Sequence, residues 1–466
     1  MAITIEPSRL RIDLHPKQMR VLKSKANEIL FGGAAGPGKS FLGRALAIIL
    51  CFEIPGFQAA LFRRTYRELN DTHMEGPGSF PAILAGAQNE RLCRIVKDEI
   101  RFANGSRISL NHCQYEHNVT SYQGAEFHLL QIDELTHWTS YMYTYLRTRC
   151  RLGNLKIPDK YIGKLPLIVS TSNPGGIGHN WVKDFFEPDK PFVIRRMTGK
   201  GEGGMLRQFI PATIADNPDT LRNDPSYVDK LEGVGDPQTA RALLEGDWDV
   251  VSDAMFGTSW KKTLHVIDPF AIPKGWDLWR GADDGFSKPA CILWFARDPI
   301  KDRTYAIKEV YRSGMLPEEM GREALEGDKT IPIRETDGTF SNNIYELTGL
   351  IDPASFADTG TGSPARGNAM NQLGCNWREA EKYPGSRVQG VQQIHRMLAI
   401  QKDKLPKLQI FNNCIQLARA LPTAPRDRKN PEDIDDEFEI DHAIDALRYG
   451  LQWRDVSFRR TRISGI

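Results

Sequence analysis

Short apolar runs at 28–33, 59–63, 127–133 and 165–170 punctuate the first half of the chain, with amphipathic stretches between several of them. That alternation predicts parallel strands joined by helices. The run 41–52 has the apolar content of a helix packed on such a sheet. Beyond residue 270 the pattern changes. Runs at 278–282, 290–296 and 305–311 follow one another closely and predict a meander, and helices are predicted over 388–402 and 442–453. Glycine and proline cluster at 199–204 (GKGEGG) and 268–275 (DPFAIPKG), and the second cluster separates the two patterns. The expected division is 1–252, a connector at 253–270, and 271–466, with the boundary near residue 260.

Size and composition support two domains. A chain of 466 residues is too long for one compact core. With 40% hydrophobic and 26% charged residues it reads as soluble and globular. The longest apolar run, 45–52, is too short to cross a bilayer, so no membrane association is expected. The opening residues MAITIEPSRL hold no apolar signal core, so secretion is not expected. Seven cysteines without a CxxC pair argue against a disulfide framework or a zinc ribbon and suit a reducing cytoplasm. His112, Cys113 and His117 lack a second ligand pair and read as strand and loop. Basic and acidic residues nearly cancel, 61 against 59, so nucleic-acid binding would depend on local patches.

The most specific motif is Gly33-Ala34-Ala35-Gly36-Pro37-Gly38-Lys39-Ser40, a full GxxxxGK[ST] between an apolar run and a helical one. Its glycines allow backbone N–H groups to turn around a β-phosphate at a helix N-terminus. Lys39 would reach the β- and γ-phosphates, and the Ser40 hydroxyl would bind Mg²⁺. A glycine-rich helix entry without a ligand is the plain alternative, and the strand–helix context weighs against it. A second Mg²⁺ anchor is expected at the end of a neighbouring strand. Asp133 fits there, with Glu134 polarising the attacking water, although Gln131 interrupts the apolar run. Taken alone, these two acids would read as an acidic turn. The segment Thr171-Ser-Asn173-Pro174 ends another strand in small polar groups suited to sensing a γ-phosphate. Gln18 is expected to read an adenine edge with its amide.

The second half carries Asp283 in a Gly-Ala-Asp-Asp-Gly turn, Asp352 before Pro353, and Asp441 and Asp445 four apart on one predicted helical face. Carboxylates converging from two strands and a helix suit hard ions such as Mg²⁺ or Mn²⁺, and two such ions cleave phosphodiesters. From spacing alone, solvated acids at strand ends and an Asp441–Arg448 surface pair remain the commoner explanation.

Together these motifs resemble the large terminase subunit of tailed bacteriophages, the ATPase and nuclease that packages viral DNA. The resemblance spans nearly the whole chain, and its most specific parts are Gly281-x-Asp283-x-Gly285 and Asp441-His-Ala-Ile-Asp445-Ala-Leu-Arg-Tyr449, with Gly246-Asp-Trp248 closing the first domain. It implies an α/β chain with an ASCE-type P-loop ATPase domain followed by an RNase H-like nuclease domain. It implies ATP and Mg²⁺ as cofactors, with Mn²⁺ as an alternative in the nuclease. Asp283, Asp352 and one acid of the terminal helix would hold the nuclease metals: Asp441 first, Asp445 next, His442 behind them. The implied partners are double-stranded DNA, a portal protein, a small terminase subunit and further copies in a ring on the portal, acting in the host cytoplasm. Relatives carry an arginine before the glycine upstream of the Asp-Glu pair, acting on a neighbour's nucleotide; here Gln123 precedes Gly124. Arg63 or Arg64 within the subunit, or Arg147, Arg149 and Arg151 across an interface, are the substitutes available. DNA contact is expected at 147–156, at Arg195, Arg196 and Lys200, and in the basic tail 454–462. Two rivals stand beside this reading: an ATP-driven helicase–nuclease of DNA repair, and a portal-docking assembly protein with a silent nuclease.

Overall fold

A computed structural model describes residues 2–5, 10–234, 237–249, 254–358, 360, 364–427 and 429–453. The chain forms two compact units, 1–253 and 254–466. The basic tail 454–462 lies outside the described residues. No helix among the described residues is long and apolar enough to cross a membrane.

The first unit is built on a nine-stranded sheet. Six strands run parallel in the order Leu206–Ala212, Glu28–Gly33, Leu167–Ser172, Leu129–Ile132, Gln58–Arg63, Arg107–His112. The strand ending at Thr171 and Ser172 therefore lies between the P-loop strand and the acidic strand, which is the ASCE arrangement. These central strands are largely apolar and buried along their whole length, as parallel strands covered by helices must be. Helix Lys39–Glu53 lies on the sheet with eleven of its fifteen residues buried. Gln131, the polar break in the acidic strand, is buried and donates its amide to the Gly43 carbonyl at 2.8 Å, tying that helix to the strand. Cys93–Val96 and Glu99–Phe102 add an antiparallel edge beyond Arg107–His112.

The second unit has a seven-stranded sheet. Asp277–Asp283, Ala290–Asp298 and Arg303–Arg312 form the antiparallel meander, and Gly349–Ile351 and Trp377–Glu379 extend it in parallel beside Asp277–Asp283. The order Arg303–Arg312, Ala290–Asp298, Asp277–Asp283, Gly349–Ile351, Trp377–Glu379 is that of an RNase H-like sheet. Much of the expected connector packs into this unit. Met255, Phe256 and Trp260 are buried in its core, and Met255 N–H donates to the Ala424 carbonyl at 2.7 Å. The cause is their apolar surface, which a solvated linker would leave in water.

Helix Asp441–Leu451 crosses Asp277–Asp283 at very short range. A Cβ on Gly281 would come within 2.5 Å of the Ala446 carbonyl oxygen and 2.6 Å of Gly450 Cα. Trp279 Nε1 donates to the Gly450 carbonyl at 2.8 Å. At the other side of the meander, Glu309 accepts the backbone N–H groups of Gln416 and Leu417 at 2.8 and 3.2 Å, capping helix Ile415–Thr423.

Burial pushes Glu309 up to about 7, against the pull of those two N–H groups. A carboxyl whose pKa is raised on folding adds stability below its unfolded pKa and loses it as pH rises through the folded value. Between pH 5 and 8 the wild type should lose about 2 kcal/mol relative to Glu309→Gln, allowing for partial solvent access. Urea unfolding of both proteins across that range measures the difference.

Candidate active sites

The first site forms where parallel strands of the first unit end side by side. Gly38 caps helix Lys39–Glu53 with φ +80°, a left-handed conformation that favours glycine. The amides of Lys39 and Ser40 fall in the first turn, where no intrahelical carbonyl is available. Ala34 and Ala35 spend their amides on the Ala212 and Leu243 carbonyls at 3.2 and 2.7 Å, which anchors the loop between Gly33 and Pro37. Asn217 Nδ2 donates to the Gly36 carbonyl at 2.8 Å from the other side.

Gln18 has a different task from the one expected. Its Nε2 donates to the Gly38 carbonyl at 3.0 Å and its Oε1 accepts the His15 N–H at 2.9 Å, with the side chain buried. Both ends of the amide are engaged, so in this conformation Gln18 braces the P-loop.

Lys39 is buried and donates to the Ala34 carbonyl at 2.7 Å and to Asn173 Oδ1. Desolvation lowers its pKa, opposed by Glu134 and Asp133. Ser40 Oγ stands 3.4 Å from Asp133 Oδ2, so the two expected Mg²⁺ anchors meet. Asp133 also accepts from Thr171 Oγ1 and from Arg63 Nε at 2.8 Å, with His73 Nε2 at 3.4 Å. Burial alone would raise Asp133, but His73, Arg63 and Thr171 together hold it well below the ordinary carboxylate range. Glu134 follows at φ +54°, a turn of the kind that collects at functional positions. Its Oε1 lies 3.9 Å from Arg63, and the loss of water in the cleft raises its pKa despite Lys39. An ionised anchor next to a more basic glutamate is the division of labour that metal-assisted water attack requires.

The remaining arginines sort by partner. Arg64 donates to the His137 carbonyl at 2.6 Å. Arg147 is held in the core by Glu28 at 2.8 Å and by Glu202, which removes it from any neighbour or DNA. Arg149 reaches the Gln123 carbonyl, so a guanidinium stands beside the position where the resemblance implied an arginine. Arg151 pairs with Glu126 at 3.0 Å, and Arg195 with Glu187. Arg196 donates to the Gly204 carbonyl at 3.0 Å.

The second site follows the same logic in the second unit. Parallel pairing puts Ala282 beside Ile351, so Asp283 and Asp352 emerge next to each other at one sheet edge. Asp352 Oδ1 accepts Ala354 N–H at 2.8 Å and Lys382 Nζ at 3.1 Å, and its Oδ2 accepts Lys382 Nζ at 3.0 Å and Tyr449 Oη at 2.6 Å. Burial works to raise Asp352, but these donors keep it below the ordinary range. Asp283 is raised by burial, with Asp445 and Asp352 adding to the effect and His442 opposing it. His442 Nδ1 touches Asp283, and its Nε2 lies 3.4 Å from Asp441 Oδ1. Burial pushes Asp441 up to about 6. Asp445 is engaged with Arg448 Nε at 3.0 Å. The pairing expected between Asp441 and Arg448 is thus made by Asp445.

Among the described residues no three His, Cys, Asp or Glu side chains gather closely enough to hold a metal ion. The donors nevertheless fit a hard divalent ion: Asp283, Asp352 and Asp441 offer oxygen, and Asp441 Oδ1 is a buried acceptor without a hydrogen-bond donor. His442, its pKa raised against the effect of burial by Asp283 and Asp441, and the Lys382 ammonium stand at that place in this conformation. Sequence spacing leaves His73, Asn217 and Lys382 without any signal. Tyr449 is readable in principle, since 441, 445 and 449 lie on one helical face.

A family model described as terminase large subunit, T4likevirus-type, N-terminal, matches residues 30–263. The PBSX phage terminase large subunit of Bacillus subtilis (strain 168) is 24% identical over 416 residues, covering 84% of this chain and 83% of the relative. The large terminase of bacteriophage HK97 aligns over 94% of this chain and 95% of its own, with 10% identity and a TM-score of 0.45. That of the thermophilic bacteriophage D6E aligns over 95% and 99%, with 14% identity and a TM-score of 0.40.

Two substitutions test the packing around these sites. Arg63→Met leaves Asp133 buried with one partner fewer and should cost about 3 kcal/mol in urea unfolding. Gly281→Ala forces helix Asp441–Leu451 off its strand, with an expected loss of about 1–3 kcal/mol in the same measurement.

Proposed function

The chain belongs to the terminase large-subunit family, and from that premise we propose that it is a DNA-packaging motor. Its first unit hydrolyses ATP to drive double-stranded DNA into a procapsid, and its second unit cuts concatemeric DNA with two metal ions. The observation that carries this reading is the meeting of Lys39, Ser40, Asp133 and Thr171 across three adjacent strand ends and the helix that follows the first of them.

In the ATPase, the amides at the start of helix Lys39–Glu53 bind the substrate phosphates and Lys39 neutralises the γ-phosphate. Lys39 is held by Asn173 in this conformation, so a phosphate that claims Lys39 frees Asn173. Asn173 follows directly on strand Leu167–Ser172, whose Thr171 holds Asp133, and gain or loss of the γ-phosphate thereby alters tension in that strand end. Glu134 takes the proton of the attacking water. Divalent ions, when bound, neutralise the phosphate oxygens beside Ser40 and Asp133 and, in the nuclease, activate water and stabilise the leaving oxygen. In the second unit, Asp283, Asp352 and Asp441 would hold the ions, with Asp445 behind them, and Tyr449 orients Asp352. The portal, a small terminase subunit and further copies in a ring complete the motor.

A helicase–nuclease is disfavoured because the described residues contain one P-loop sheet. An assembly protein with a silent second unit remains the rival that the filled lone pairs of Asp352 suggest, and plasmid nicking with Mn²⁺ separates it from a working nuclease.

Lys39→Ala should lower ATP turnover by about 10²-fold or more while DNA cutting stays measurable. Asp283→Ala should do the reverse. Full nicking by Asp283→Ala in excess Mn²⁺ would remove that residue from the nuclease.

A further inference from the structure

The antiparallel edge of the first sheet breaks a rule of strand pairing. Arg94 pairs directly with Arg101, and Arg101 with Arg107, so three arginines stand opposite one another across three adjacent strands. Neighbouring strands are about 4.8 Å apart, so the row is roughly 10 Å wide. Like charges directly opposite destabilise a sheet. Their immediate sequence neighbours Ile100, Phe102 and Ile108 are buried on the other face, so the register exposes the arginines together.

Glu99 serves two members of the row. Glu99 accepts Arg101 Nε at 2.8 Å and Arg107 Nη1 at 2.9 Å, and Arg107 Nε also donates to Gln58 Oε1 at 3.0 Å. These contacts fix two guanidiniums in place without cancelling the row. Arg94 and, from the preceding turn, Arg91 make no ion pair among the described residues. The four arginines line a cavity of about 680 Å³. It lies at the Gln58 end of strand Gln58–Arg63, about 17 Å along the strand from Arg63 and the nucleotide site.

We propose that this arginine row is a binding site for the phosphate backbone of double-stranded DNA. Guanidiniums match phosphate oxygens in bidentate pairs, and contacts of this kind grip any sequence. A bound backbone removes the repulsion that the register imposes, which accounts for like charges being paired here. The inference rests on the DNA-packaging reading above.

The test is equilibrium binding of a short fluorescent duplex by the full chain, measured by anisotropy across about 50–200 mM salt. Arg91→Gln/Arg94→Gln changes two exposed side chains without ion pairs, and an unchanged melting temperature verifies its fold. The slope of log K against log salt should become shallower by about 2, near 0.9 for each lost phosphate contact. Arg94→Gln alone should account for about half of that, and Arg94→Lys should retain the wild-type slope. An unchanged slope in the folded double variant overturns the assignment. A preserved duplex slope with lost affinity for polyglutamate overturns it in favour of an acidic protein partner. Wild-type protein that binds no duplex at all overturns the packaging reading itself, and the row's assignment with it.

Discussion

Parallel pairing of strands is the constraint on which both sites depend. When strands run in one direction and in register, the residues just past their ends arrive at the same edge whatever their separation in sequence. In the first unit this brings Asp133 and Thr171 together with Arg63, which are 38 and 70 residues from Asp133, and adds Ser40 from 93 residues away. In the second it sets Asp283 beside Asp352. The P-loop would be a glycine-rich helix entry without its neighbours. The strand inserted between it and the acidic strand supplies Thr171 and leads into Asn173, so the fold couples the partner of Asp133 to the partner of Lys39.

Gathering carboxylates in this way concentrates negative charge where water is scarce, and each site resolves that differently. Asp133 is ringed by donors and stays ionised, while Glu134 beside it has only distant cations and becomes more basic. In the second unit Asp352 has every lone pair occupied, whereas Asp283 and Asp441 share one histidine and are raised by burial. A buried acid short of donors is costly on its own, and a cation relieves the cost. The terminal helix can serve this site because Gly281 lets two backbones approach within a distance that a Cβ there would prevent, while Gly450 leaves room for the Phe295 ring. The row of arginines on the edge of the first sheet is the opposite case, positive charge concentrated by register at a surface.

Several features were legible beforehand because they depend on local chemistry. The strands at 28–33, 59–63, 127–133 and 165–170, the helix after Gly38 and the meander beyond residue 276 follow from apolar period and turn residues, and they appear with small shifts at their ends. Strand Leu206–Ala212 escaped notice because Arg207, which is buried against Glu28, interrupts its apolar run, and strand Arg107–His112 was read only at its His112 end because Arg107 and Asn111 break its pattern. The bracing role of Gln18 was not legible, because an amide reads alike whether it faces a base or braces a loop. Only its two partners decide.

Sequence alone determined which phosphate-binding motif and which carboxylates this protein carries, because a P-loop, an Asp-Glu pair and spaced aspartates are covalent facts. It also determined the order of two α/β patterns along the chain. Tertiary structure alone decided which groups meet: that His73 faces Asp133, that Lys382 and Tyr449 share Asp352, that His442 stands between two acids, and that Asp445 belongs to Arg448. The reason is physical. Spacing along a chain constrains contacts only within a helix turn or a hairpin, whereas these contacts are set by strand order, register and the close crossing of a helix over a sheet, which depend on how the whole core packs.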